Sequence, residues 1–213
     1  MEQPADVAVE GDHPPGGRTL RGWVVEIAGT IALTLVIFLG LQTFVVQPFQ
    51  VKGPSMEHTF EQGDYVLIDR LSPRWDDYSR GDVIVFHPPP GFDSENTPFI
   101  KRVIGVAGDT VEVRPDGLAY VNGVALTEPY LYANDAGVPG PTVAQGQTRW
   151  VVPAGELFVM GDHREASEDS RVFGPIAVSS VIGRAVFRYW PLTSLRVITP
   201  PVYQGIPALD RAP

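Results

Sequence analysis

The chain has 213 residues, a formal net charge of −9 at pH 7 and no cysteine. The acidic balance without a basic cluster argues against nucleic acid as a partner, because phosphates select clustered lysine and arginine. The missing cysteines exclude disulfides, thiolate metal sites and a cysteine nucleophile. The 22 glycines and 21 prolines indicate a folded domain that is rich in turns.

The N-terminal part of the chain contains one long apolar segment. Residues 1–21 are rich in proline, glycine and acids without apolar periodicity, so we predict a disordered tail there. Residues 27–46 carry no charge, and as a helix they would reach about 30 Å, the hydrocarbon thickness of a bilayer. We therefore predict one transmembrane helix over 22–46.

Two other interpretations of this segment compete, a cleaved secretory peptide and a buried core helix. A cleavage site needs two small residues soon after the apolar core, but residues 42–48 read QTFVVQP. We therefore expect the segment to stay attached. Arg18 and Arg21 precede it and Lys52 alone follows closely, which favours a cytoplasmic N-terminus and an extracytoplasmic folded domain at the plasma membrane.

After residue 46 the pattern changes to short β-branched and aromatic runs separated by turn signals. Asp116-Gly117 and Asn122-Gly123 favour tight hairpins, whose central residues need positive φ. We predict a mainly β domain, a barrel or sandwich, over 47–199 and a flexible tail over 200–213. No further helix is predicted, and 129–149 has no assignment. The predicted strands are 65–68, 83–86, 99–106, 110–113, 118–121, 150–152, 157–160, 181–190 and 195–198.

A candidate nucleophile, Ser55, lies in the Gly-Pro-Ser-Met loop directly after the apolar segment. A serine hydroxyl is a poor nucleophile until a base takes its proton. Histidine is the usual base, but none of the four histidines is placed well for this role. In chain order they lie in the N-terminal tail, close to Ser55, beside a proline run and in a charged loop: His13, His58, His87 and His163. Their spacing is also not that of a metal site.

A lysine is the alternative base, provided that burial among apolar groups keeps it neutral. The chain has two lysines, Lys52 and Lys101. Lys101 lies in the apolar run 97–106, and on a strand Arg102 would point to the opposite face. An equally simple interpretation is a strand lysine that extends to water, which stays open at this point.

Charged residues and two serines alternate in the segment 159–174. Asp169 and Arg171 have a spacing that lets them pair, and Ser167 could orient an amine by a hydrogen bond. A solvated surface loop would have the same composition.

Taken together, these stretches resemble the type I signal peptidases, the membrane-bound Ser/Lys endopeptidases that remove signal peptides from exported proteins. The resemblance covers roughly residues 22–190, with the motifs in the family's order. It implies an all-β catalytic core with an inserted β-rich lobe at about 109–155. The segments that carry it are 53–59, 81–86, 99–109 and 161–174.

The resemblance implies Ser55 as nucleophile and Lys101 as general base, without metal or cofactor. Ser167 would help position the amine, and Asp169 with Arg171 would hold that loop against the site. The substrate-binding residues that it implies are Phe49, Val51, Met56, Phe99 and Ile100. The implied partners are signal peptides of exported preproteins, the lipid bilayer and, as a candidate, the secretion translocon.

Four positions depart from the family pattern. Gly53 stands where some members have a serine that donates to the oxyanion, so the oxyanion would depend on backbone N–H groups, chiefly that of Ser55. His58, Phe99 and His163 stand where proline, tyrosine and asparagine are common. None of these changes removes a reacting group.

Three rival functions remain at this point. A self-cleaving Ser/Lys repressor would need a helix-turn-helix before the β domain, where this chain has the apolar segment. A membrane-anchored β domain could bind exported partners without catalysis. A specialised Ser/Lys peptidase of narrow substrate range would have the same motifs.

Overall fold

The computed structural model describes residues 20–44, 46–71, 77–92 and 97–206. Its first element is helix α1 (Leu20–Phe44). The stretch Leu20–Phe38 is long and apolar enough to cross a membrane, and none of it is buried within the chain. The Thr30 and Thr34 hydroxyls donate to carbonyls four residues earlier at 2.8 Å, so these polar groups are satisfied within the helix.

Within the described ranges, twelve strands follow α1, and all the predicted ones are present. They are β1 (Val46–Gln50), β2 (Tyr65–Asp69), β3 (Val83–Phe86), β4 (Phe99–Val106), β5 (Thr110–Val113), β6 (Ala119–Val121), β7 (Val124–Ala125), β8 (Arg149–Val151), β9 (Glu156–Met160), β10 (Ile176–Ala177), β11 (Val181–Trp190) and β12 (Arg196–Val197). The mainly β fold class with one N-terminal apolar helix is therefore confirmed.

The larger sheet has eight strands in the order β1-β2-β11-β3-β4-β9-β10, with β12 paired to β11. Its described pairs are antiparallel. Residues of β3 alternate between two groups of buried side chains, Val83 and Val85 in one and Ile84 and Phe86 in the other. The centre of this sheet is thus covered on both faces, and β4 lies beside β3 in that covered region.

The smaller sheet, β7-β6-β5-β8, lies within the predicted lobe between β4 and β9. Asn122 and Gly123 make the predicted tight turn between β6 and β7, with φ of 52° and 81°. The Trp150 and Phe158 rings pack at 4.9 Å between centroids. Because Trp150 belongs to β8 and Phe158 to β9, the lobe and the larger sheet share one core.

Several elements differ from the predictions. Helix α1 ends at Phe44, before residue 46, and β1 begins at Val46. Pro48 and the two glutamines of β1 hide its strand character, but Pro48 is tolerated because β1 is an edge strand. A short helix, α2 (Ser170–Phe173), was not predicted because four residues are too few to show a period.

Two segments that lacked a predicted structure are packed in place. The segment 129–149 forms an isolated bridge between Ala133 and Pro139 before β8 begins at its last residue. Residues 200–206, from the predicted flexible tail, have no helix or strand, yet Tyr203 and Ile206 pack against the core shared with the lobe. Of the predicted disordered tail 1–21, Leu20 and Arg21 belong to α1. Residues 1–19 and 207–213 lie outside the described residues.

Candidate active site

Ser55 lies in a tight turn that follows β1. The Glu57 N–H donates to the Pro54 carbonyl at 3.0 Å, and Val51 N–H donates to the Asp64 carbonyl at 2.8 Å. Val51 and Met56 are 1% and 0% exposed and pack in one core group. These two anchors fix the turn from both sides, so that Ser55 between them is half-buried and accessible.

Val51 and Met56, which the resemblance assigns to substrate binding, are buried and do not line the groove described below. Both side chains face the core, where they contact residues such as Phe60 and Ile100. They offer no accessible surface to a peptide, because both side chains point inward while the loop between them is exposed. Their role in the structure is to hold the turn of Ser55.

Lys101 lies on β4 with its amine at Ser55. Its side chain is buried, 4% exposed, and its Nζ donates to the Ser55 Oγ at 2.7 Å. It lies opposite Ile84 of β3 and on the same face as Val103, so the walls around its stem are apolar. The predicted burial of this lysine is confirmed.

Burial lowers the pKa of Lys101 from its ordinary value to about 8. The negative charges of Asp169, Asp162 and Glu168 oppose this effect, and Arg171 adds to it. Desolvation is the largest cause, because a buried ammonium loses its hydration. A substantial fraction of this amine is neutral near pH 8 and can accept a proton.

A groove of about 310 Å³ runs past Ser55 and Lys101. Its walls include the predicted substrate-binding residues Phe49, Phe99 and Ile100 together with Gly53. Gly53 has φ of +77°, a conformation that suits glycine. The groove residues that the sequence analysis did not assign are Lys52, Pro54, Thr97, Pro98 and Glu168.

Asp169 is the central acceptor of the loop that faces this groove. It is fully buried and accepts from Arg171 Nε and Nη2, both at 2.8 Å, from Gly161 N–H at 3.0 Å and from Ser167 Oγ at 2.8 Å. Burial alone would raise the pKa of Asp169, but these hydrogen bonds and the charge of Arg171 hold it below its ordinary value. The predicted pairing of Asp169 with Arg171 is present.

Ser167 lies beside the site without a hydrogen bond to Lys101 in the part of the chain that the structure describes. Its hydroxyl donates to Asp169 instead. A Cβ placed on Gly161 would lie 2.3 Å from the Ser167 Oγ and 2.5 Å from the Ser55 carbonyl oxygen. Gly161 is thus the close contact between the loop and the turn of Ser55.

The sequence analysis missed a buried ion pair behind the site. Arg102 Nε and Nη2 donate to Asp162 at 2.8 and 2.6 Å, and the guanidinium stacks on Tyr130 at 3.9 Å. The Thr59 hydroxyl donates to the same carboxylate at 2.5 Å. Arg102 does point away from Lys101, as the alternation on a strand required, but only folding shows which acid it meets.

A second missed pair connects the loop to the lobe. The Arg164 guanidinium donates to the Glu128 carboxylate and to the Thr142 hydroxyl, and its side chain is 1% exposed. Arg171 Nη1 also donates to the Val143 carbonyl at 3.1 Å. The unassigned segment 129–149 and its flank therefore hold the loop that carries Asp169.

The histidine alternative finds no geometric support. His13 lies outside the described residues, and in the described ranges no hydrogen bond joins His58, His87 or His163 to the Ser55 hydroxyl. The same ranges contain no group of three or more histidine, aspartate or glutamate residues that could hold a metal ion.

Comparisons with known proteins identify relatives over most of the chain. The family described as signal peptidase, peptidase S26, matches residues 23–190. Signal peptidase IB of Staphylococcus aureus (strain Mu50) is 34% identical over 189 residues, covering 84% of this chain and 94% of that protein. Signal peptidase I of Leptolyngbya laminosa is 35% identical over 203 residues, covering 93% and 91%.

Among solved structures, a signal peptidase I from Enterococcus faecalis V583 is 33% identical, with a TM-score of 0.41. The match covers 52% of this chain and 98% of the solved chain.

Proposed function

Because this chain belongs to the peptidase S26 family of signal peptidases and is thus a serine endopeptidase that removes signal peptides from exported preproteins, we propose that Ser55 is its nucleophile and Lys101 its general base. One observation carries this proposal, the 2.7 Å hydrogen bond between the Lys101 amine and the Ser55 hydroxyl beside an open groove. A base within hydrogen-bond distance of a hydroxyl is the arrangement that activates a serine nucleophile.

The reaction proceeds through an acyl-enzyme. Neutral Lys101 takes the Ser55 proton as Oγ attacks the scissile carbonyl carbon, and the resulting ammonium gives that proton to the leaving amine as the C–N bond breaks. A water molecule then gives a proton to Lys101 and attacks the ester carbon. The ester bond breaks, and Oγ recovers its proton from the lysine.

The oxyanion is held by backbone rather than by a side chain at position 53. Gly53 offers no hydroxyl, and among the described residues no acceptor takes the Ser55 N–H. The turn closed by Glu57 holds this N–H in place before substrate arrives. Pre-oriented donors of this kind contribute about 3–4 kcal/mol to lowering the barrier.

The substrate binds as an extended strand along the groove. β1 is an edge strand of the larger sheet, and its continuation through 51–55 faces the segment 97–101 across the groove. An added strand would receive main-chain hydrogen bonds from such edges. Phe49, Phe99 and Ile100 narrow the groove, which favours the small side chains found before signal-peptide cleavage sites.

The anchor gives the protein its place in the cell. We infer that α1 forms a single membrane span from residue 22 on, and that the tail 1–21 before this span is cytoplasmic. The catalytic domain, 47–199 with its lobe at about 109–155, and the tail 200–213 that follows it are extracytoplasmic. Arg18 and Arg21 before the span support this orientation. The lipid bilayer and the secretion translocon are the partners that this placement implies.

Two substitutions test the assignment of the reacting groups. Ser55→Ala and Lys101→Met are each expected to abolish cleavage of an exported preprotein by the purified full chain in detergent, while the protein stays folded. Ser179→Ala, the same change as Ser55→Ala at an exposed serine outside the groove, serves as the control and should retain activity. Cleavage by pure Ser55→Ala protein would refute the nucleophile assignment.

A further inference from the structure

Three side chains from three segments meet directly behind the turn of Ser55. The His163 ring lies 2.7 Å from the Glu57 carboxylate through Nδ1 and stacks on Tyr132 with 4.0 Å between ring centroids and an interplanar angle of 21°. Because a carboxylate only accepts, the Nδ1–H donates. We call this group, Glu57, His163 and Tyr132, the clasp.

The main chain of the same residues reinforces the clasp. The His163 N–H donates to the carbonyl of Ser55 itself at 3.1 Å, and the Tyr132 N–H donates to the Asp162 carbonyl at 3.0 Å. Glu57 also closes the Ser55 turn through its N–H. The nucleophile is thereby bracketed by one contact on its carbonyl and one on the residue two positions later.

We propose that His163 is a positioning residue for the reaction, which orients the Ser55 turn through Glu57 and is itself held by Tyr132 of the lobe. This inference depends on the proposed role of Ser55 as nucleophile. Within the described residues, none of the three side chains has a hydrogen bond, ion pair or ring contact with Lys101. Their contribution is to the direction of the Ser55 hydroxyl, and displacement of a reacting atom by about 1 Å costs up to ~100-fold in rate.

The arrangement suits a positioning role better than a stabilising one. The His163 and Glu57 side chains are 17% and 28% exposed, and a partly exposed pair of this kind contributes little to stability. Asparagine would keep the hydrogen bond, because its Nδ2 is bonded to Cγ as the histidine Nδ1 is. Leucine at this position would remove the donor and retain similar bulk.

The test compares steady-state kinetics of full-length variants on one preprotein substrate. His163→Leu and Glu57→Ala are each expected to lower kcat about tenfold, with KM within about twofold of the wild type. The double variant should be no slower than the slower single variant, since both remove the same contact. His163→Asn should recover kcat to within about threefold. His87→Leu, the same change at an exposed histidine outside the site, should be unaffected.

Wild-type kcat in either Glu57→Ala or His163→Leu, or losses that multiply in the double variant, would overturn the proposal. If His163→Leu does not fold, Glu57→Ala decides alone, since it removes only a partly exposed side chain. Failure of the clasp and failure of the nucleophile assignment are distinguishable. If the clasp has no positioning role, His163→Leu and Glu57→Ala keep the wild-type kcat. If Ser55 is not the nucleophile, Ser55→Ala stays active.

Discussion

At the scale of single residues, the proposed chemistry depends on the protonation state of Lys101. Its amine reaches Ser55 at 2.7 Å from a position that is 4% exposed. The hydrogen bond places the amine within proton-transfer distance of the Ser55 hydroxyl. Burial lowers the pKa of Lys101, so that neutral amine is available to accept a proton near neutral pH. Ordinary lysine would be almost fully protonated under the same conditions and could not act as a base.

The pH dependence of the reaction follows from the same burial. With the pKa of Lys101 lowered to about 8, kcat/KM should rise about tenfold per pH unit below 8 and level off above it, since only the neutral amine accepts the proton. Initial rates of preprotein cleavage between pH 6 and 10.5 measure this profile. A rate that still climbs through pH 10 would contradict a buried base.

The burial of Lys101 also affects stability. It favours catalysis because it yields a neutral amine, but it lowers the free energy of unfolding. The pKa of Lys101 is lower in the folded chain, about 8, than in the unfolded chain, 10.5, so the unfolded state binds the proton more tightly. Folding is penalised fully below pH 8, and the penalty disappears as the pH rises through 10.5. The difference corresponds to about 3 kcal/mol.

Lys101→Met is therefore expected to raise the free energy of unfolding at pH 7 by up to about 3 kcal/mol, with no gain above pH 10.5. Denaturant unfolding of the full chain in detergent at the two pH values measures this. Lys52→Met should show no pH-dependent gain. An inactive Lys101→Met protein that is less stable at pH 7 would show that the amine is stabilising.

At the scale of elements, the loop between β9 and α2 brings the site together. Gly161 packs against the Ser55 carbonyl and the Ser167 hydroxyl with no room for a Cβ. Asp169 accepts the Gly161 N–H and caps α2 through the Arg171 N–H. One buried carboxylate thereby sets the loop's path, and the path sets the distance to the nucleophile.

Gly161→Ala is expected to displace the Ser55 turn, because its Cβ would lie 2.5 Å from the Ser55 carbonyl oxygen, and to lower kcat by about 100-fold. Steady-state kinetics on a preprotein measures the loss. Gly29→Ala in α1, where the added Cβ has no neighbour within 4 Å, is the matched control. Full activity in Gly161→Ala would mean that the turn is free to move.

At the scale of the catalytic unit, buried arginine pairs join the lobe to the larger sheet. Arg164 pairs with Glu128, and Arg80 pairs with Asp109 through its Nε at 2.7 Å. Apolar contacts in the shared core stabilise many relative orientations of the lobe and the sheet. The ion pairs form only in one of these orientations. The clasp uses that orientation, because Tyr132 reaches His163 from the lobe side.

Arg164→Met should be destabilising by about 3–5 kcal/mol, because it leaves the buried Glu128 carboxylate, 4% exposed, without its cation. Guanidinium unfolding of the full chain monitors this loss. The double variant with Glu128→Gln should recover a large part of it, since the uncompensated charge is then gone. Equal stability of the single and double variants would argue against the pair.

The sequence by itself determined most of the elements and pointed to the two groups that we propose to react. Apolar run length predicts α1, and the β-branched runs predict β2 to β6, β8, β9, β11 and β12, because both signals are local. Two lysines, one of them on an apolar strand, single out Lys101, and the family resemblance, which the relatives confirm, assigns the function.

Only the tertiary structure decided what lies next to what. The partners of Arg102, Arg164 and His163 are remote in the chain, and no local pattern specifies which acid a buried arginine will meet. Val51 and Met56 flank the loop that carries Ser55, yet their side chains point into the core. The pKa of Lys101 likewise arises from desolvation, which exists only when the strands on either side of β4 have closed around it.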